Sequence, residues 1–373
     1  MANDGARGPD VRGMTYLDYQ ATTPLAPEAL AAMLPWLERQ HANPHSTHRE
    51  GRAARAAVEV ARDQVAAAMP AGGTLSFTSG ATEALNWAIK GVEGPIVTLA
   101  TEHAAVLDTV AATDRAVTIL PVGRDGQVDL DAARAAIVAG VGLVAAMLVN
   151  NEIGVIQPIA ALAEFAHAAG ALFLCDAVQG YGRVAIPDQC DMVAISAHKI
   201  HGPKGIGALW TRAGVRPAPL LHGGGQEAAG RSGTLSPALC AGFGVAAGLM
   251  RDRGIEDAAH VEALWVAATA RLGPEWRING SVDARYRGNL NIRHERLDVA
   301  RLMSDLRDVA FSAGSACASG SGRTSHVLRA IGLGEAEARG SIRLGFGRYT
   351  AVAELTAAID AIAEAAARQR IAA

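Results

Sequence analysis

Lysine is almost absent from this chain. Of its 373 residues 34 are Lys or Arg, yet only Lys90, Lys199 and Lys204 are lysine. Two of the three share one short segment, Ser196-Ala-His-Lys199-Ile-His-Gly-Pro-Lys204-Gly205, between apolar runs at 191–195 and 206–210. Arginine stays protonated and forms no imine, whereas lysine forms one once its pKa is lowered. A composition that favours arginine has kept amines here. The other scarcities exclude classes of protein. Formal net charge is only −3 and no Lys/Arg block occurs, which argues against a polyanion-binding surface. No apolar stretch reaches membrane-spanning length without a charge, glycine or proline. The first ten residues lack the apolar core of a signal peptide and read as a flexible lead-in. The four cysteines, Cys175, Cys190, Cys240 and Cys317, are widely spaced and form no CxxC pair. Free thiols in a cytoplasmic protein are the expectation.

What is present is an alternation of short apolar runs and helical stretches. Strands are expected over 74–77, 96–99, 143–148, 172–175, 192–195 and 206–210, with helices over 81–90, 104–112, 130–139 and 159–168 between them. That order implies an α/β fold, a mostly parallel sheet with helices on both faces. Long helical periodicity follows over 237–272, then mixed strand and helix from about Asn289, with a last helix over 355–370. The chain is long enough for two domains. The expected division is a large cofactor-binding domain over 14–254 and a smaller domain over 255–373, with residues 1–20 packing near the latter.

Ligands of an open parallel sheet bind beyond the carboxyl ends of its strands, and the unusual polar residues cluster at those ends. Phe77 is followed by Thr-Ser-Gly-Ala81-Thr82-Glu83 opening a helix, a turn suited to phosphate. Leu99 runs into Thr101-Glu-His103, and Leu148 into Asn150-Asn151-Glu152. Cys175 is followed by Asp176 and Gln179, and Ile195 by Ser196, His198 and Lys199. Each has an ordinary explanation as a cap or a turn residue, but together they match the needs of pyridoxal 5'-phosphate. The phosphate takes a helix N-terminus, the aldehyde a lysine, and the ring nitrogen a carboxylate that keeps it protonated.

These residues carry a resemblance to a known family. Tyr16-Leu-Asp-Tyr-Gln-Ala-Thr-Thr-Pro24, Asn43-Pro-His-Ser46, Phe77-Thr-Ser-Gly-Ala-Thr-Glu83, Thr101-Glu-His103 and Asn150-Asn-Glu-Ile-Gly154 open the series. Asp176-Ala-Val-Gln179, Ser196-Ala-His-Lys199, Arg231-Ser-Gly-Thr234, Gly314-Ser-Ala-Cys317 and Ser341-Ile-Arg343 complete it. Over nearly its whole length the chain resembles the cysteine desulfurases of the NifS/IscS type, in the class V aminotransferase superfamily. The resemblance implies fold type I: a mostly parallel seven-stranded sheet between helices, plus a smaller α+β C-terminal domain. It also implies roles. Lys199 would bond the cofactor aldehyde and move the Cα proton of L-cysteine; Asp176 would pair with the ring nitrogen and Gln179 with the ring oxygen. His103 would stack on the ring and assist proton transfer. Ala81, Thr82, Ser196 and His198 would hold the phosphate with Thr234 of a neighbouring subunit, which makes the protein a homodimer with shared sites. Asn151 and Arg343 would hold the substrate carboxylate.

Cys317 separates desulfurases from aminotransferases. Its surroundings, Ser312 to Arg323, are small and polar, so they offer nothing to bury a thiol against. The long spacing to Val327-Leu-Arg329 resembles the long-loop group. Cys317 would accept the substrate sulfur as a persulfide and deliver it to an unidentified acceptor, in iron–sulfur cluster assembly, tRNA thiolation or cofactor biosynthesis. Family members that dock an iron–sulfur scaffold carry a longer C-terminal tail. A selenocysteine lyase shares the motifs, whereas a class V aminotransferase or other lyase needs no mobile cysteine. A non-catalytic sulfur-relay subunit would retain little reason for Lys199, Asp176, His103 and Arg343 together. His41, His45 and His48 suggest a metal only weakly, having no thiolate or carboxylate beside them, and no metal is expected.

Overall fold

A computed structural model describes residues 13–227, 230–314 and 324–371. Cys317 and the whole of the expected lead-in lie outside these. The chain opens with β1 (Thr15–Tyr16), α1 (Pro27–Glu38) and α2 (Arg49–Ala66). The alternating region follows as β2 (Gly73–Thr78), α3 (Ala81–Lys90), β3 (Ile96–Leu99), α4 (Ala104–Ala111), β4 (Val117–Leu120) and α5 (Leu130–Ala136). It continues through β5 (Leu143–Met147), α6 (Ile159–Ala168), β6 (Leu172–Asp176), β7 (Met192–Ser196) and β8 (Gly207–Arg212). A 3-10 turn, Ala197–Lys199, comes directly after β7.

These strands make a seven-stranded sheet in the order β2-β8-β7-β6-β5-β3-β4. Only β8 runs against its neighbours, pairing antiparallel with both β7 and β2. The carboxyl ends of β2, β3, β5, β6 and β7 therefore share one edge, and β8 begins there, with Gly207 opposite Thr78 and Ser196. A Cβ at Gly207 would lie 2.5 Å from the Ile195 carbonyl oxygen and 2.8 Å from the Gly80 Cα, so this close approach requires glycine. One sheet face packs Phe77 and Phe173 against Val58, Val65 and Phe243 of α2 and α7 (Pro237–Asp252). The other packs Leu143, Leu174 and Leu209 against Trp87, Ile89 and Val106 of α3 and α4. Burying a side chain of this size contributes about 1.5–3 kcal/mol relative to exposure.

The helical stretch expected over 237–272 is two helices, α7 and α8 (Gly254–Thr269), separated at Arg253. Beyond them come β9 (Trp276–Ile278), β10 (Asn289–His294), α9 (Val299–Asp305), β11 (Val309–Ala310) and β12 (Ser312–Ala313). The last elements are α10 (His326–Ala330), α11 (Glu335–Arg339), β13 (Ser341–Gly345) and α12 (Val352–Ile371). A four-stranded sheet of order β12-β13-β10-β9 builds a second core, in which Leu290, Ile342 and Leu344 meet Leu264, Trp265 and Leu355. Leu17 of the N-terminal segment lies in that same core, and β1 pairs with β11. Past Leu17 the chain crosses β13 so closely that a Cβ at Gly345 would lie 2.8 Å from the Tyr19 nitrogen. Among the described residues no helix is long and apolar enough to cross a membrane.

Candidate active site

The shared strand edge opens into a cavity of about 620 Å3. Ala81, Thr82, His103, Asn151, Asp176, Gln179, Ser196, His198, Lys199 and Arg343 all line it. Among the described residues one expected site residue does not. Thr234 is exposed and outside the lining, and Cys317 falls outside the described residues.

Local structure holds each group in place. At one end of the cavity the turn from β2 into α3 presents Ser79, Gly80, Ala81 and Thr82. The Ser79 N–H donates to Glu83 at 2.7 Å, and Glu83 pairs with Arg231 at 2.9 Å. Partial burial would raise the Glu83 carboxyl, but the hydrogen bonds from Arg231 and Ser79 hold it below its usual value. This pair ties the Arg231–Thr234 segment to the start of α3.

His103 caps α4, its Nδ1 accepting from the Ala105 N–H at 3.0 Å, so in the neutral ring Nε2 carries the proton. Burial lowers its pKa, the nearby Asp176 carboxylate opposes this, and Lys199 adds to it. Asp176 ends β6 and is buried, with Oδ1 accepting from the Val178 N–H at 3.0 Å. Burial raises its pKa, against that hydrogen bond and the charges of His103 and Lys199. A cation beside Asp176 would hold it ionised, as a protonated ring nitrogen does. His198 sits with Nδ1 3.2 Å from the Thr22 Oγ1; burial, then Lys199 and Lys204, push its pKa down to about 4, leaving the ring neutral.

Lys199 occupies the turn after β7, and its Nζ donates to the carbonyls of Gln20 at 2.5 Å and Ala21 at 2.7 Å. The Gln20 carbonyl also accepts from the Gln179 amide at 3.0 Å. Thr23 clamps this turn, donating to the His198 carbonyl at 2.9 Å and accepting from the His201 N–H at 2.7 Å. Segment 20–23 is thus part of the site. Gln20, Ala21 and Thr22 line the cavity, as does Lys204, and the sequence by itself assigns none of them a role. The Tyr16–Pro24 motif was the available signal: it matched the family pattern with no chemistry attached to its residues.

Both flanks of the segment carrying Cys317 are anchored at the cavity. On one side the Ser312 hydroxyl donates to Asp18 at 2.8 Å and accepts from Arg343 at 3.1 Å. On the other the Ser325 hydroxyl bonds Glu152 at 2.5 Å and caps α10, while the His326 Nε2 lies 2.8 Å from the carbonyl oxygen of Glu102, next to His103. Cys175, Cys190 and Cys240 are all buried. Burial pushes the Cys240 thiol up to about 12, and the Cys175 thiol is raised by its hydrogen bond with Cys190 and then by burial. Neither Cys175 nor Cys240 is available as a thiolate.

A lysine turn, a buried aspartate and a helix N-terminus at one edge of an α/β sheet suit a pyridoxal-phosphate enzyme, and comparison with known proteins gives that class. Residues 15–357 match the class-V aminotransferase family. The chain is 41% identical to the cysteine desulfurase IscS of Rickettsia akari, over 93% of this chain and 90% of that protein. It is 42% identical to the corresponding protein of Rickettsia bellii, with the same coverage. The structure of a NifS-like protein from Rickettsia africae superposes with a TM-score of 0.88 at 31% identity, covering 94% of this chain and 99% of that one. That of SspA in complex with cysteine gives 0.79 at 34% identity, covering 90% and 100%. The chain belongs to the class V aminotransferases and, within them, to the cysteine desulfurases.

The cofactor of this enzyme class is pyridoxal phosphate, and the cavity fits it. Its volume lies in the range of small-molecule sites, and three lining residues carry buried polar atoms without a partner, the Gln20 Oε1, the Gln179 Oε1 and the Arg343 Nε. The N-terminus of the ten-residue helix α3 opens at one end, and a lysine and a carboxylate lie within it.

Proposed function

We propose that this cavity removes the sulfur of L-cysteine as a persulfide on Cys317, leaving L-alanine. The observation that carries the reading is the double anchoring of the Cys317 segment, through Ser312 and Ser325, to turns around the cavity that holds Lys199. Ala81, Thr82, Ser196 and His198 would hold the cofactor phosphate, Asp176 the ring nitrogen and Gln179 the ring oxygen; His103 would cover the ring. When bound, the cofactor supplies an electron sink for the charge left at Cα.

The protein's own groups do the rest. Arg343 holds the substrate carboxylate in a forked contact, with Asn151 beside it. Lys199 takes the Cα proton and returns one, and His103, neutral and half-buried, assists through its Nε2 proton. The Cys317 thiolate attacks the substrate sulfur: an S–S bond forms and the Cβ–S bond breaks with its electron pair going to carbon. With the proton taken up at Cβ, L-cysteine and the thiol become L-alanine and a persulfide. An external thiol then reduces the persulfide to sulfide and restores Cys317.

Supplied with L-cysteine and a reducing thiol, the holoenzyme is expected to release alanine and sulfide in equal amounts. Alanine without sulfide would sink the reading. A selenocysteine lyase would instead process the selenium compound far faster than L-cysteine, which the ratio of the two rates reports.

The protein acts as a homodimer in this reading. Thr234 is exposed and lies off its own cavity, which fits a residue that completes the neighbour's phosphate site. Light scattering of the holoenzyme is expected to give the mass of two chains, and a monomer would overturn the shared site. In this reading the chain divides into a large domain over 14–254 and a small one over 255–373, with residues 1–20 packing near the latter. The compartment is the cytoplasm, and the acceptor is a protein thiol.

A further inference from the structure

Arg343 is an unusual binding group, because its guanidinium is buried and its orientation depends on residues far away in the chain. It projects from β13 in the second core, with a side chain only 2% exposed, yet it lines the cofactor cavity. Its Nη1 donates to the Asn151 carbonyl at 3.0 Å, and its Nη2 donates to Asp18 at 2.7 Å and to the Ser312 hydroxyl at 3.1 Å. Its Nε has no partner. Asp18 is the carboxylate in this arrangement, and the same Oδ1 that takes Nη2 also takes the Ser312 hydroxyl proton at 2.8 Å. The Asp18 backbone is itself held. It forms a bridge with Gly345, two residues beyond Arg343, and its carbonyl accepts from the Ala21 N–H at 2.9 Å.

We infer that Asp18 is a positioning residue for substrate binding: it balances the buried charge of Arg343 and fixes the plane in which the guanidinium meets the substrate carboxylate. The inference rests on the reading of Arg343 as the carboxylate clamp. A guanidinium recognises a carboxylate through two parallel N–H groups, so a rotation of its plane costs one of the two bonds. Left without Asp18, Arg343 would keep one carbonyl and one hydroxyl but lose its only hydrogen-bonded carboxylate among the described residues, and a buried cation in that state seeks another arrangement. Asp18 also connects the clamp to the strap that holds Lys199. Two and three residues on, the Gln20 and Ala21 carbonyls accept from the lysine Nζ. One short stretch of chain therefore sets both the carboxylate clamp and the amine.

The test uses L-cysteine beside 2-aminoethanethiol, which has the same amine and thiol but no carboxylate. Steady-state KM and kcat are measured for L-cysteine, and the dissociation constant of 2-aminoethanethiol is read from the absorbance of the bound cofactor. Asp18→Ala is expected to raise KM for L-cysteine about ten-fold or more, to leave kcat within about three-fold, and to leave 2-aminoethanethiol binding unchanged. Asp18→Asn keeps an oxygen for Arg343 and Ser312, so it should recover part of the loss, and it serves if the alanine variant fails to fold. A KM that stays at the wild-type value in both variants would overturn the inference. So would an equal loss for both compounds, which marks a general structural role. Arg343→Ala separates this from failure of the underlying reading. If it leaves KM unchanged, the clamp itself is wrong and Asp18 falls with it. If it raises KM for L-cysteine alone while the Asp18 variants do not, only the positioning role is wrong.

Discussion

Replacing Lys199 by alanine is expected to slow alanine release from L-cysteine by about four orders of magnitude or more, because a positioned proton-transfer group and the covalent attachment point are lost together. Lys199→Arg should be no better. The guanidinium could occupy the position beside the Gln20 and Ala21 carbonyls, 2.5 and 2.7 Å from the lysine amine, but it neither gives up its proton nor forms an imine. The measurement is alanine production by purified protein reconstituted with pyridoxal phosphate, with the bound cofactor followed by its absorbance. A Lys199→Ala protein that keeps the cofactor and turns over at near wild-type rate would remove Lys199 from the mechanism.

Cys317→Ala should abolish both products while leaving the cofactor bound. The groups assigned to hold the cofactor lie elsewhere in the chain, at 81–82, 103, 176–179 and 196–199, and the contacts that anchor the flanks of the Cys317 segment come from Ser312, Ser325 and His326. Alanine and sulfide should fall together, since the C–S bond breaks only as the thiolate takes the sulfur. Turnover that survives the substitution would move the chemistry to a lyase or transaminase with no use for this thiol. Loss of the cofactor's absorbance in the variant would instead place Cys317 in the ring pocket.

Much of the large sheet was legible from short apolar runs, and two helices, Ala81–Lys90 and Ile159–Ala168, have the expected bounds. The misses have physical causes. α1 contains Pro35, which reads as a breaker inside an otherwise helical pattern. α2 buries Gly51, Ala54, Val58, Ala61 and Val65, and small residues give little contrast between a buried face and a wet one. β4 is an edge strand in which Thr118 and Ile119 stay exposed, so its apolar signal is diluted. The stretch over 237–272 keeps helical periodicity across Arg253, and only packing decides that it divides there.

The chemistry of the site was determined by the sequence alone. A lysine kept where arginine is the rule, an aspartate after one apolar run, a histidine after another and a hydroxyl-rich turn before a helix each lie at a strand end. A parallel sheet gathers such ends whatever the order of its strands. Tertiary structure decided which distant groups hold these residues. The Gln20 carbonyl meets the Lys199 amine across 179 positions of chain, and Asp18 meets Arg343 across 325. No periodicity encodes such pairs, because they form only when the N-terminal segment crosses β13 at Gly345, between Leu17 in the second core and Ala26 in the core of the large sheet. Local patterns record which side chains a strand or helix presents. The partner of a buried charge is set by how whole elements pack, and that is where Asp18 acquires its place.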